Sequence, residues 1–451
     1  MLVLKFGGTS VGSADAIRRT VAIIASARAQ EPVVVVVSAL SGITDRLLAA
    51  ADDARAGTRE ASEIIDELHR RHEAVCDDLE LPSGTLLEPL AGLAEVLRGI
   101  QYLRELTPRT RDFVLSHGEV LSSRIVAAAL TQAGTPACAV TGWDAGILTD
   151  DNHGAANVLS ETWTRIPQRL LPDAVEVPIV TGFLGQTQSG ERSTLGRGGS
   201  DYSAAILGRA LRAREIQIWT DVTGILSTDP RIVPSAHTLP ELTFEEAAEL
   251  AFFGARVIHP KTIEPAVKAG IPVRVANTFE PEAAGTRIVE GRRNTKRPVV
   301  AIAVKKGNTI LTLDSTRMLD AEGYLATVFQ CLKDHQISVD AIATSEVSVC
   351  MTVEDRYTRA LSQACPALEE IAHVELRPDR AILCIVGLGM RDTPGTAAGI
   401  FQAIHDAGVN IEMISMGSSK INLTFVVKDD DADQTLHHLH DALITSATTP
   451  Q

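Results

Sequence analysis

The sequence predicts a multidomain α/β protein, in which an α/β sandwich is followed by two small β-α-β modules. Apolar β-rich segments alternate with helical patterns over roughly the first 290 residues, and glycine-containing turns follow four of the strands. Beyond residue 300 the chain repeats itself at a fixed spacing. Because 451 residues are too many for one hydrophobic core, we expect two to four domains. The charged stretch 290–297 is the predicted boundary.

The charge balance restricts the kinds of partner. Lys and Arg total 42 against 57 Asp and Glu, which gives a formal net charge of −15. We therefore expect no nucleic-acid surface, and anionic ligands must be held by local groups. A hydrophobic content of 45% indicates a globular chain.

Cysteine usage and the N-terminus predict a cytoplasmic protein. No two of the six cysteines form a CxxC motif, and we interpret them as reduced residues that contribute to packing. The N-terminus enters a strand without a basic leader or an apolar signal core, and no uncharged apolar run reaches membrane length. We therefore expect neither secretion nor membrane insertion.

The first twelve residues predict a strand, a phosphate-sized turn and a helix. An apolar strand leads into Gly7-Gly8, then Thr9-Ser10, and a helical pattern runs from Ala14 to Ala29. A glycine pair lets the backbone approach an anion closely, and amides at a helix start favour negative charge. Lys5 adds a full positive charge at the same place.

The same stretch satisfies the nucleophile-elbow pattern GxSxG, with Ser10 at the serine position. An elbow serine normally follows a central strand that comes after several others, whereas this motif ends the first strand. We expect Ser10 not to be a nucleophile.

Strand and helix patterns continue in alternation. Strands are predicted at 32–38, 137–140, 177–181, 215–220 and 272–276. Helical spacing covers 46–105, interpreted as a helical excursion or lid, then 112–133, and a small-residue helix ending at Leu211. This alternation indicates a parallel sheet with ligand-binding turns at the carboxyl ends of its strands.

Four glycine-containing turns follow strands, at Gly7-Gly8, Gly42, Gly182 with Gly185, and Gly196 to Gly199. Together they indicate a polyanionic or bipartite ligand lying across the sheet edge. Phosphoryl transfer needs charge neutralisation, alignment of the acceptor and usually Mg²⁺. Candidate cations are Lys5, Arg197, Lys261 and Arg231, and candidate carboxylates are Asp201, Asp221, Asp229 and Glu119. The chain has no Walker, HRD or DFG motif.

The C-terminal part is a duplication. Five positions, Gly323, Phe329, Ile337, Asp340 and Val349, have counterparts 72 residues later (395 − 323 = 72). The counterparts are Gly395, Phe401, Val409, Glu412 and Ile421. A spacing kept across turn, helix and strand indicates two copies of one unit, and such small modules tend to pair into dimers.

Six ordered motifs give a family resemblance that covers nearly the whole chain. They are Lys5 to Val11, Ser41 to Thr44, Ser116 to Glu119, Thr194 to Tyr202, Trp219 to Val222 and Phe253 to Pro260. In this order they closely resemble the aspartate kinases of the amino-acid kinase superfamily, and the duplicated tail resembles their paired ACT domains. The resemblance implies a carbamate-kinase-like α/β/α sandwich at 1–295 and two ferredoxin-like ACT domains at 296–380 and 381–451. In relatives one ACT module is inserted into the other, so the strand near 299–308 could belong to the second.

The resemblance implies transfer of the γ-phosphoryl group of MgATP to the β-carboxylate of L-aspartate, at the entry to lysine, threonine and methionine synthesis. The implied catalytic residues are Lys5, Gly7, Gly8 and Asp201. The implied aspartate-binding residues are Thr44, Glu119, Arg197 and Asp201, with Arg197 on a carboxylate and Glu119 or Asp201 on the ammonium. No base is needed, because the acceptor is already a carboxylate, and His117 is expected to be a structural hydrogen-bonder.

The implied ATP-binding residues are Lys5, Gly8, Thr9, Ser10, Thr220, Asp221, Leu226, Arg231, Arg256 and Val257. Two of them depart from the family pattern, since many relatives have Tyr at the position of Leu226 and Lys at that of Arg256. An apolar Leu can still cover adenine or ribose, but it lacks the hydroxyl.

The tail is most similar to the lysine-sensing, monofunctional form, without an appended homoserine dehydrogenase. The residues implied to bind L-lysine between two subunits are Met318, Gly323, Tyr324, Leu325, Ser338, Val339, Asp340, Thr344, Ser345 and Glu346. Asp340 and Glu346 suit a cationic effector, although Asp340 could instead be a solvated residue at the start of a strand. We expect a homodimer or homotetramer assembled through the ACT modules, in which effector binding favours an inactive arrangement of the helical excursion.

Two alternatives stay open from the sequence. A sister kinase acting on glutamate or acetylglutamate generally lacks paired ACT modules. A non-catalytic amino-acid sensor with an inactive kinase domain fits less well, because Lys5, Glu119, Arg197 and Asp201 are all present.

Overall fold

The computed structural model describes residues 1–170, 175–253, 258, 260–291, 298–319, 321–390, 392–417 and 421–445. The chain forms two compact units. The first comprises Met1–Ile225, Pro240–Phe244 and Val257–Arg292, and the second comprises Leu226–Leu239, Glu245–Arg256 and Arg293–Gln451. Two segments within the predicted catalytic range 1–295 therefore belong to the same unit as the tail.

The first unit alternates strands and helices, as the sequence predicts. Its elements begin with β1 (Leu2–Phe6), α1 (Ala14–Arg28), β2 (Val33–Val37), α2 (Ile43–Ala56), α3 (Ala61–Asp78), α4 (Leu87–Leu103), α5 (Pro108–Gln132), β3 (Ala137–Val140), α6 (Gly142–Ala145), β4 (Leu148–Thr149) and α7 (Thr162–Arg169). They continue with β5 (Val177–Thr181), β6 (Leu184–Thr187), β7 (Arg192–Thr194), α8 (Gly199–Leu211), β8 (Glu215–Thr220), β9 (Glu241–Thr243), α9 (Phe244–Phe252, mostly in the second unit), α10 (Pro260–Lys268), β10 (Val273–Asn277) and β11 (Thr286–Val289).

The main sheet of the first unit has eight strands among the described residues, in the order β3-β5-β2-β1-β8-β10-β11-β9. The strands from β3 to β10 pair in parallel, and β1 lies between β2 and β8. All residues of β1 and β2 are buried, as expected for strands covered on both faces. Their carboxyl ends consequently meet at one edge, where the glycine-containing turns begin.

The sequence analysis missed the short strands of this unit. The antiparallel partner β11 and its neighbour β9 extend one side of the main sheet. In the small sheet β4-β6-β7, the pattern at 186–193 predicts a polar hairpin, and the antiparallel pair β6 and β7 confirms it, whereas β4 was not predicted. These strands have only two to four residues, which is too short for a period to be read from the sequence.

The longest helix of the first unit, α5, is a core helix. By length and composition it is apolar enough to cross a membrane, and 78% of its most apolar window is buried inside the protein. Its buried side also carries polar side chains such as Asp112, His117, Glu119 and Ser122. These groups have hydrogen-bond partners inside the protein, so α5 supplies part of the functional site as well as the core.

Gly142, at the start of α6, permits a close contact that a side chain would block. A Cβ at this position would lie 2.1 Å from the carbonyl oxygen of Leu184. We expect Gly142→Ala to lower the free energy of unfolding by about 1–3 kcal/mol, because the backbone itself must shift. Gly99, inside α4, has open space at its Cβ position, so Gly99→Ala should be neutral or stabilising by about 0.5–1 kcal/mol. Chemical denaturation of both variants checks this, and equal effects would contradict it.

The second unit contains the duplicated tail. Its elements are β12 (Ala301–Asp314), α11 (Tyr324–Asp334), β13 (Ile342–Thr344), β14 (Ser348–Glu354), α12 (Thr358–Glu369), β15 (His373–Val386), α13 (Thr396–Asp406), β16 (Met413–Ser415), β17 (Asn422–Lys428) and α14 (Asp429–His440). Short helical turns lie at Thr316–Met318, Asp355–Tyr357 and Asp441–Thr445.

The long strands β12 and β15 are shared by both modules of this unit. Within the described residues the sheet order is β13-β14-β12-β15-β17-β16. The second half of β12, Asn308–Asp314, pairs with β14, whereas its first half, Ala301–Lys305, pairs with Ile382–Val386 of β15. The first module therefore has the β-α-β-β-α-β order of a ferredoxin-like fold, and the first half of β12 lies in the second module.

The internal repeat is confirmed by the element bounds, with one correction. The bounds of β15 lie 72 residues after those of β12 (373 − 301 = 72), and those of α13 lie 72 after α11 (396 − 324 = 72). Val349 pairs with Leu313, and the counterpart pairing is Leu423 with Ile385. The structural counterpart of Val349 is thus Leu423 and not Ile421. Two additional residues precede β17, and a shift of two keeps the same face of the strand inward.

The two segments of the 1–295 range that belong to the second unit are held by specific bonds. The carbonyl of Ser227 accepts a hydrogen bond from Ile302 N at 2.9 Å, and the Ser227 hydroxyl lies 2.9 Å from Nε2 of His440. On α9, Glu246 accepts a bond from Leu388 N at 2.8 Å, and Glu249 accepts one from Asn422 at 2.6 Å.

All six cysteines are free thiols, as the sequence predicts. Cys384 is fully buried, and burial raises the pKa of its thiol to about 12. Such a thiol is unreactive at neutral pH and serves as a packing residue.

Candidate active site

A cavity of about 900 Å³ lies in the first unit at the carboxyl ends of β1 and β2. Its walls include five residues predicted to be catalytic or substrate-binding, and these are Lys5, Thr44, Glu119, Arg197 and Asp201. They come from a strand, three helices and a turn that span nearly 200 positions of the sequence. The parallel sheet brings them together because it collects the carboxyl ends of its strands at one edge.

Lys5 and Asp201 form an ion pair in the lining of this cavity. Lys5 Nζ lies 2.6 Å from Asp201 Oδ1, and both side chains are largely buried. A Cβ on Gly7 would lie 3.6 Å from the same ammonium, so the charge stands beside the first glycine turn. An ammonium held in this way is positioned for an anionic group that enters the cavity.

Glu119 presents a carboxylate with one unsatisfied oxygen. Its side chain is 3% exposed, and Oε1 accepts a hydrogen bond from Ala39 N at 3.2 Å. Oε2 is buried without a hydrogen-bond partner among the described residues. Burial raises the pKa of this carboxyl group to about 8. A buried carboxylate of this kind favours a cationic ligand group that would satisfy the second oxygen.

The N-terminus of α8 forms one wall of the cavity. Gly198 caps this helix with φ of 73°, a left-handed conformation that favours glycine, and Asp201 lies in the first turn. The whole stretch Gly196 to Asp201 lines the cavity, including the exposed Arg197. Amides at a helix start and a guanidinium are both suited to binding a carboxylate.

The first glycine turn packs tightly against the turn after β2. A Cβ on Gly8 would lie 3.1 Å from the Ala39 carbonyl oxygen, and one on Gly12 would lie 3.1 Å from Ser41 Cβ. The turn positions Gly8 and the exposed Thr9 at the sheet edge, where the sequence predicts a phosphate cradle.

Ser10 is buried and its polar groups bond inside the protein. Its hydroxyl lies 2.7 Å from Thr278 Oγ1 and donates to the Trp219 carbonyl, and its N–H donates to Gly7. Ser10 therefore has neither the exposure nor the open donor of a nucleotide contact, contrary to the prediction for this residue. Its burial also excludes the nucleophile-elbow interpretation.

The predicted nucleotide residues divide between the two units. Thr220 ends β8 in the first unit and the exposed Asp221 follows it, and the Thr220 hydroxyl donates to Asp221 Oδ1 at 3.1 Å. Leu226 and Arg231 belong to the second unit, where the guanidinium of Arg231 pairs with Asp229 at 2.6 Å. The predicted contacts Arg256 and Val257 lie outside the described residues.

His117 is a structural hydrogen-bonder, as predicted. Its ring is buried, and Nδ1 lies 2.9 Å from the carbonyl oxygen of Phe113. Burial, together with the nearby Arg192 guanidinium, lowers the pKa of His117 to about 4. The ring is therefore neutral at physiological pH, with Nδ1–H donating to the carbonyl.

Sequence reasoning missed several residues that line the cavity, among them Asp112, His153 and Phe183. Phe183, two positions after the end of β5, adopts φ of 66°, a strained conformation for a non-glycine residue. The position of Phe183 between Gly182 and Gly185 was the available signal. Asp112 and His153 belong to no recognisable motif, and only the fold brings them to the cavity.

The effector residues implied by the resemblance lie on the first module of the second unit. Gly323 caps α11, which begins with Tyr324 and Leu325. Thr344 ends β13, and Ser345 and the exposed Glu346 follow it. Met318 lies in a short helical turn after β12.

A shallow cavity of about 500 Å³ includes two more of the implied effector residues, Ser338 and Val339, in its lining. Its apolar lining includes Phe329 of α11 and Ile342 of β13. The space is formed within one copy of the first module.

Asp340 is neither solvated nor open to a ligand in this structure. Its side chain is 7% exposed, and Oδ2 lies 2.5 Å from the Nζ of Lys305 on β12, which also pairs with Glu354 at 2.6 Å. The repeat contains the equivalent pair, because Arg377 and Glu412 lie 72 residues after Lys305 and Asp340 (377 − 305 = 72) and are 3.0 Å apart. An effector ammonium would have to replace Lys305 at Asp340.

Comparison with known proteins agrees with this architecture. A family model described as "Amino acid kinase family" matches residues 1–277. A second, described as "ACT domain", matches residues 312–370 and 383–443, the two copies of the repeat.

Among characterised relatives, Aspartokinase 1, chloroplastic, of Arabidopsis thaliana is 40% identical over 461 residues, which cover 98% of this chain and 80% of the relative. The structure of E. coli aspartokinase III in complex with lysine and aspartate, in the T-state, has a TM-score of 0.85 at 34% identity. The same enzyme in complex with aspartate and ADP, in the R-state, has a TM-score of 0.79 at 34% identity. Each alignment covers 98% of this chain and 99% of that chain. The protein therefore belongs to the aspartokinase family, with an amino acid kinase domain followed by ACT domains.

Proposed function

We propose that this protein phosphorylates the β-carboxylate of L-aspartate with ATP to give 4-phospho-L-aspartate, and that L-lysine inhibits it. The proposal is supported by membership of the aspartokinase family and by the aspartate, ADP and lysine bound in the related E. coli structures. The observation that carries it is the single cavity in which the Lys5–Asp201 pair, Glu119 and Arg197 meet.

Each of these cavity residues has a proposed role in substrate binding or in phosphoryl transfer. The Arg197 guanidinium and the amides at the start of α8 bind the α-carboxylate of the substrate, and Glu119 binds its ammonium. The β-carboxylate is then directed towards the glycine turn, where Lys5 neutralises charge on the phosphoryl group as it is transferred. The attacking carboxylate needs no general base, which is consistent with the neutral, structural His117.

ATP is proposed to bring Mg²⁺ with it. Among the described residues no group of three or more His, Cys, Asp or Glu side chains is arranged to hold a metal. Mg²⁺ commonly takes only one or two carboxylates when substrate phosphates supply the other oxygens, so its binding does not require such a group. Asp201 and the exposed Asp221 are the carboxylates that would hold it, and the bound ion would neutralise charge on the phosphate oxygens.

A hydroxamate assay for acyl phosphate tests the proposal. Purified protein with MgATP and L-aspartate should give signal that depends on aspartate and falls on addition of millimolar lysine. L-glutamate in place of aspartate serves as the specificity control. Signal with glutamate alone would indicate a sister kinase, and no signal with either substrate would favour the sensor interpretation.

We also propose a homodimer or homotetramer assembled through the ACT modules. Apolar side chains are exposed on the first module at Leu325, Phe329 and Ile342 and on the second at Phe401 and Ile414. Light scattering during size-exclusion chromatography should give at least twice the mass of the 48.1 kDa chain. A monomer at micromolar concentration would contradict this assembly.

Lysine inhibition should depend on the two effector carboxylates, with the effector ammonium replacing Lys305 at Asp340. The double variant Asp340→Asn with Glu346→Gln should need at least about tenfold more lysine for half-inhibition, since hydrogen bonds to charged groups are lost. Each variant is compared with its own rate without lysine. Glu369→Gln, at an exposed carboxylate of the same module, is the matched control and should keep the wild-type response. An unchanged lysine response in the double variant would contradict the assignment.

A further inference from the structure

Asp112 is a buried carboxylate that the proposed chemistry leaves without a role. It lies in the second turn of α5 with 1% of its surface exposed, and it lines the substrate cavity. Burying a carboxylate is costly unless several donors satisfy it, so the identity of its donors indicates what it does.

The donors to Asp112 come from two other segments of the chain. Oδ2 accepts hydrogen bonds from the backbone N–H of Gly154 and of Thr194, both at 3.1 Å. Oδ1 accepts a bond from the Thr194 hydroxyl at 2.7 Å. The ring of His153 lies 2.9 Å from Oδ2 through Nδ1. The carboxylate thus ties α5 to the loop at 153–154 and to the end of β7.

The segment that begins at Thr194 carries the substrate-binding groups. Arg197 lies three positions after Thr194 (197 − 194 = 3), and Gly198 starts the cap of α8. The Thr194 carbonyl accepts a bond from Ala156 N, and Leu195 N donates to the Phe183 carbonyl, both at 2.9 Å. The segment is therefore fixed at its beginning by Asp112 and enters the cavity immediately afterwards.

A second layer of charges supports the imidazole of His153. Its Nε2 lies 3.6 Å from Glu191 Oε2, and Glu191 pairs with Arg109 at 2.5 Å. Arg109 and Asp112 both belong to α5, so the chain of contacts returns to the helix from which it starts. His153 is held in one orientation, with Nδ1 directed at Asp112.

We propose that Asp112 is a positioning residue for substrate binding, whose negative charge holds the segment 194–198 so that Arg197 meets the substrate carboxylate. Asp112 itself touches neither substrate nor nucleotide in this role. Charge is required because backbone N–H groups, a hydroxyl and an imidazole all approach the same carboxylate, and an amide in its place would oppose at least one donor with its own NH₂ group. The inference rests on the proposed function for the identity of the substrate.

The first experiment compares Michaelis constants in Asp112→Asn. We expect the KM for aspartate to rise by about tenfold or more, while the KM for ATP stays within about twofold of wild type, because charged hydrogen bonds are lost only on the substrate side. Glu215→Gln is the matched control, since Glu215 is also a buried carboxylate, on β8, that does not line the cavity. Both KM values should be unchanged in the control. Equal increases of the two KM values in Asp112→Asn would overturn the proposal.

A double-mutant comparison distinguishes positioning from general destabilisation. Once Arg197→Ala has removed the group that Asp112 positions, adding Asp112→Asn should raise the KM for aspartate by less than about twofold. If the increases in the KM for aspartate caused by the two substitutions multiply, Asp112 acts independently of Arg197 and the proposal fails.

Two variants of Thr194, whose hydroxyl donates to Asp112, still test the proposal if Asp112→Asn does not fold. Thr194→Ser retains the hydroxyl and should keep the wild-type KM for aspartate. Thr194→Val removes only this donor and should raise that KM about threefold to tenfold. Identical KM values for these two variants would overturn the proposal. If the wild type turns over a different amino acid, the proposed function fails but the same comparison with that amino acid still tests Asp112.

Discussion

Replacing Lys5 with Met is expected to lower kcat by about 10²–10³-fold, the usual effect of removing a group that stabilises charge in a transition state. Met keeps the unbranched side chain but removes the ammonium that stands beside Gly7. It also leaves Asp201 without its 2.6 Å partner, so the cavity gains net negative charge and repels ATP. Initial rates in the hydroxamate assay, at saturating aspartate and ATP, measure the effect.

Two further lysine variants show whether the loss of kcat in Lys5→Met comes from the missing charge at this position. Lys5→Arg keeps the charge in a larger, planar group and should recover part of the activity. Lys268→Met removes an exposed lysine of α10 that pairs with Glu264 at 2.6 Å and does not line the cavity, so kcat should be unchanged. If the kcat of Lys5→Met lies within about threefold of wild type, Lys5 does not stabilise the transition state.

Replacing Glu119 with Gln should weaken aspartate binding and stabilise the protein at the same time. The KM for aspartate is expected to rise by about 10–100-fold, because the substrate ammonium loses a charged acceptor. Gln preserves the size of the side chain and can still accept from Ala39 N, which lies 3.2 Å from Oε1 in the wild type. Steady-state kinetics with aspartate as the varied substrate measure the loss.

The accompanying change in stability depends on pH in a definite direction. In the folded protein burial raises the pKa of Glu119 from 4.5 to about 8, so the folded state binds this proton more tightly than the unfolded state. Its stabilising contribution is complete below pH 4.5 and is lost as pH rises to about 8. The Gln variant does not titrate, so its advantage in free energy of unfolding should grow over this window to a few kcal/mol, at about 1.4 kcal/mol per pKa unit.

Urea denaturation of wild type and Glu119→Gln at pH 5.5, 7 and 8.5 checks the direction. A difference in unfolding free energy that stays constant across these pH values would show that Glu119 is ionised throughout. The KM for aspartate in the wild type should also fall as pH rises towards 8, whereas the variant should lack this dependence. The residue that binds the substrate ammonium thus reduces the stability of the empty protein.

Local patterns were sufficient for most regular elements. The strands predicted at 137–140, 177–181 and 215–220 match β3, β5 and β8, and the predicted 72-residue repeat reproduces the bounds of β12, β15, α11 and α13. Apolar period, glycine at turns and small residues at helix starts act over a few residues, so they can be read from the sequence. Short strands such as β9 and β11 have no such period and were missed.

The roles of individual side chains were harder to predict. Motif order placed Lys5, Glu119, Arg197 and Asp201 in one site, and the structure gathers them in one cavity. The same motif placed Ser10 on the nucleotide, although its hydroxyl packs inward against Thr278, which lies 268 positions away. A strand-end motif predicts which residues lie at the sheet edge. The direction in which each side chain points depends on the hydrogen-bond partners in the neighbouring segments.

By itself, the sequence determined the alternation of elements, the duplicated tail, and the residue types at the carboxyl ends of the strands, because these depend on local backbone preferences and on the period of apolar residues. Only the tertiary structure decided which charges meet. Lys305 and Asp340 pair across 35 positions, and Asp112 binds Thr194 across 82. Which residues form such pairs depends on the strand order and on the path of shared strands such as β12. Burying an unpaired charge is costly, so each buried charge pairs with a group of opposite charge or a hydrogen-bond donor that the fold brings close to it.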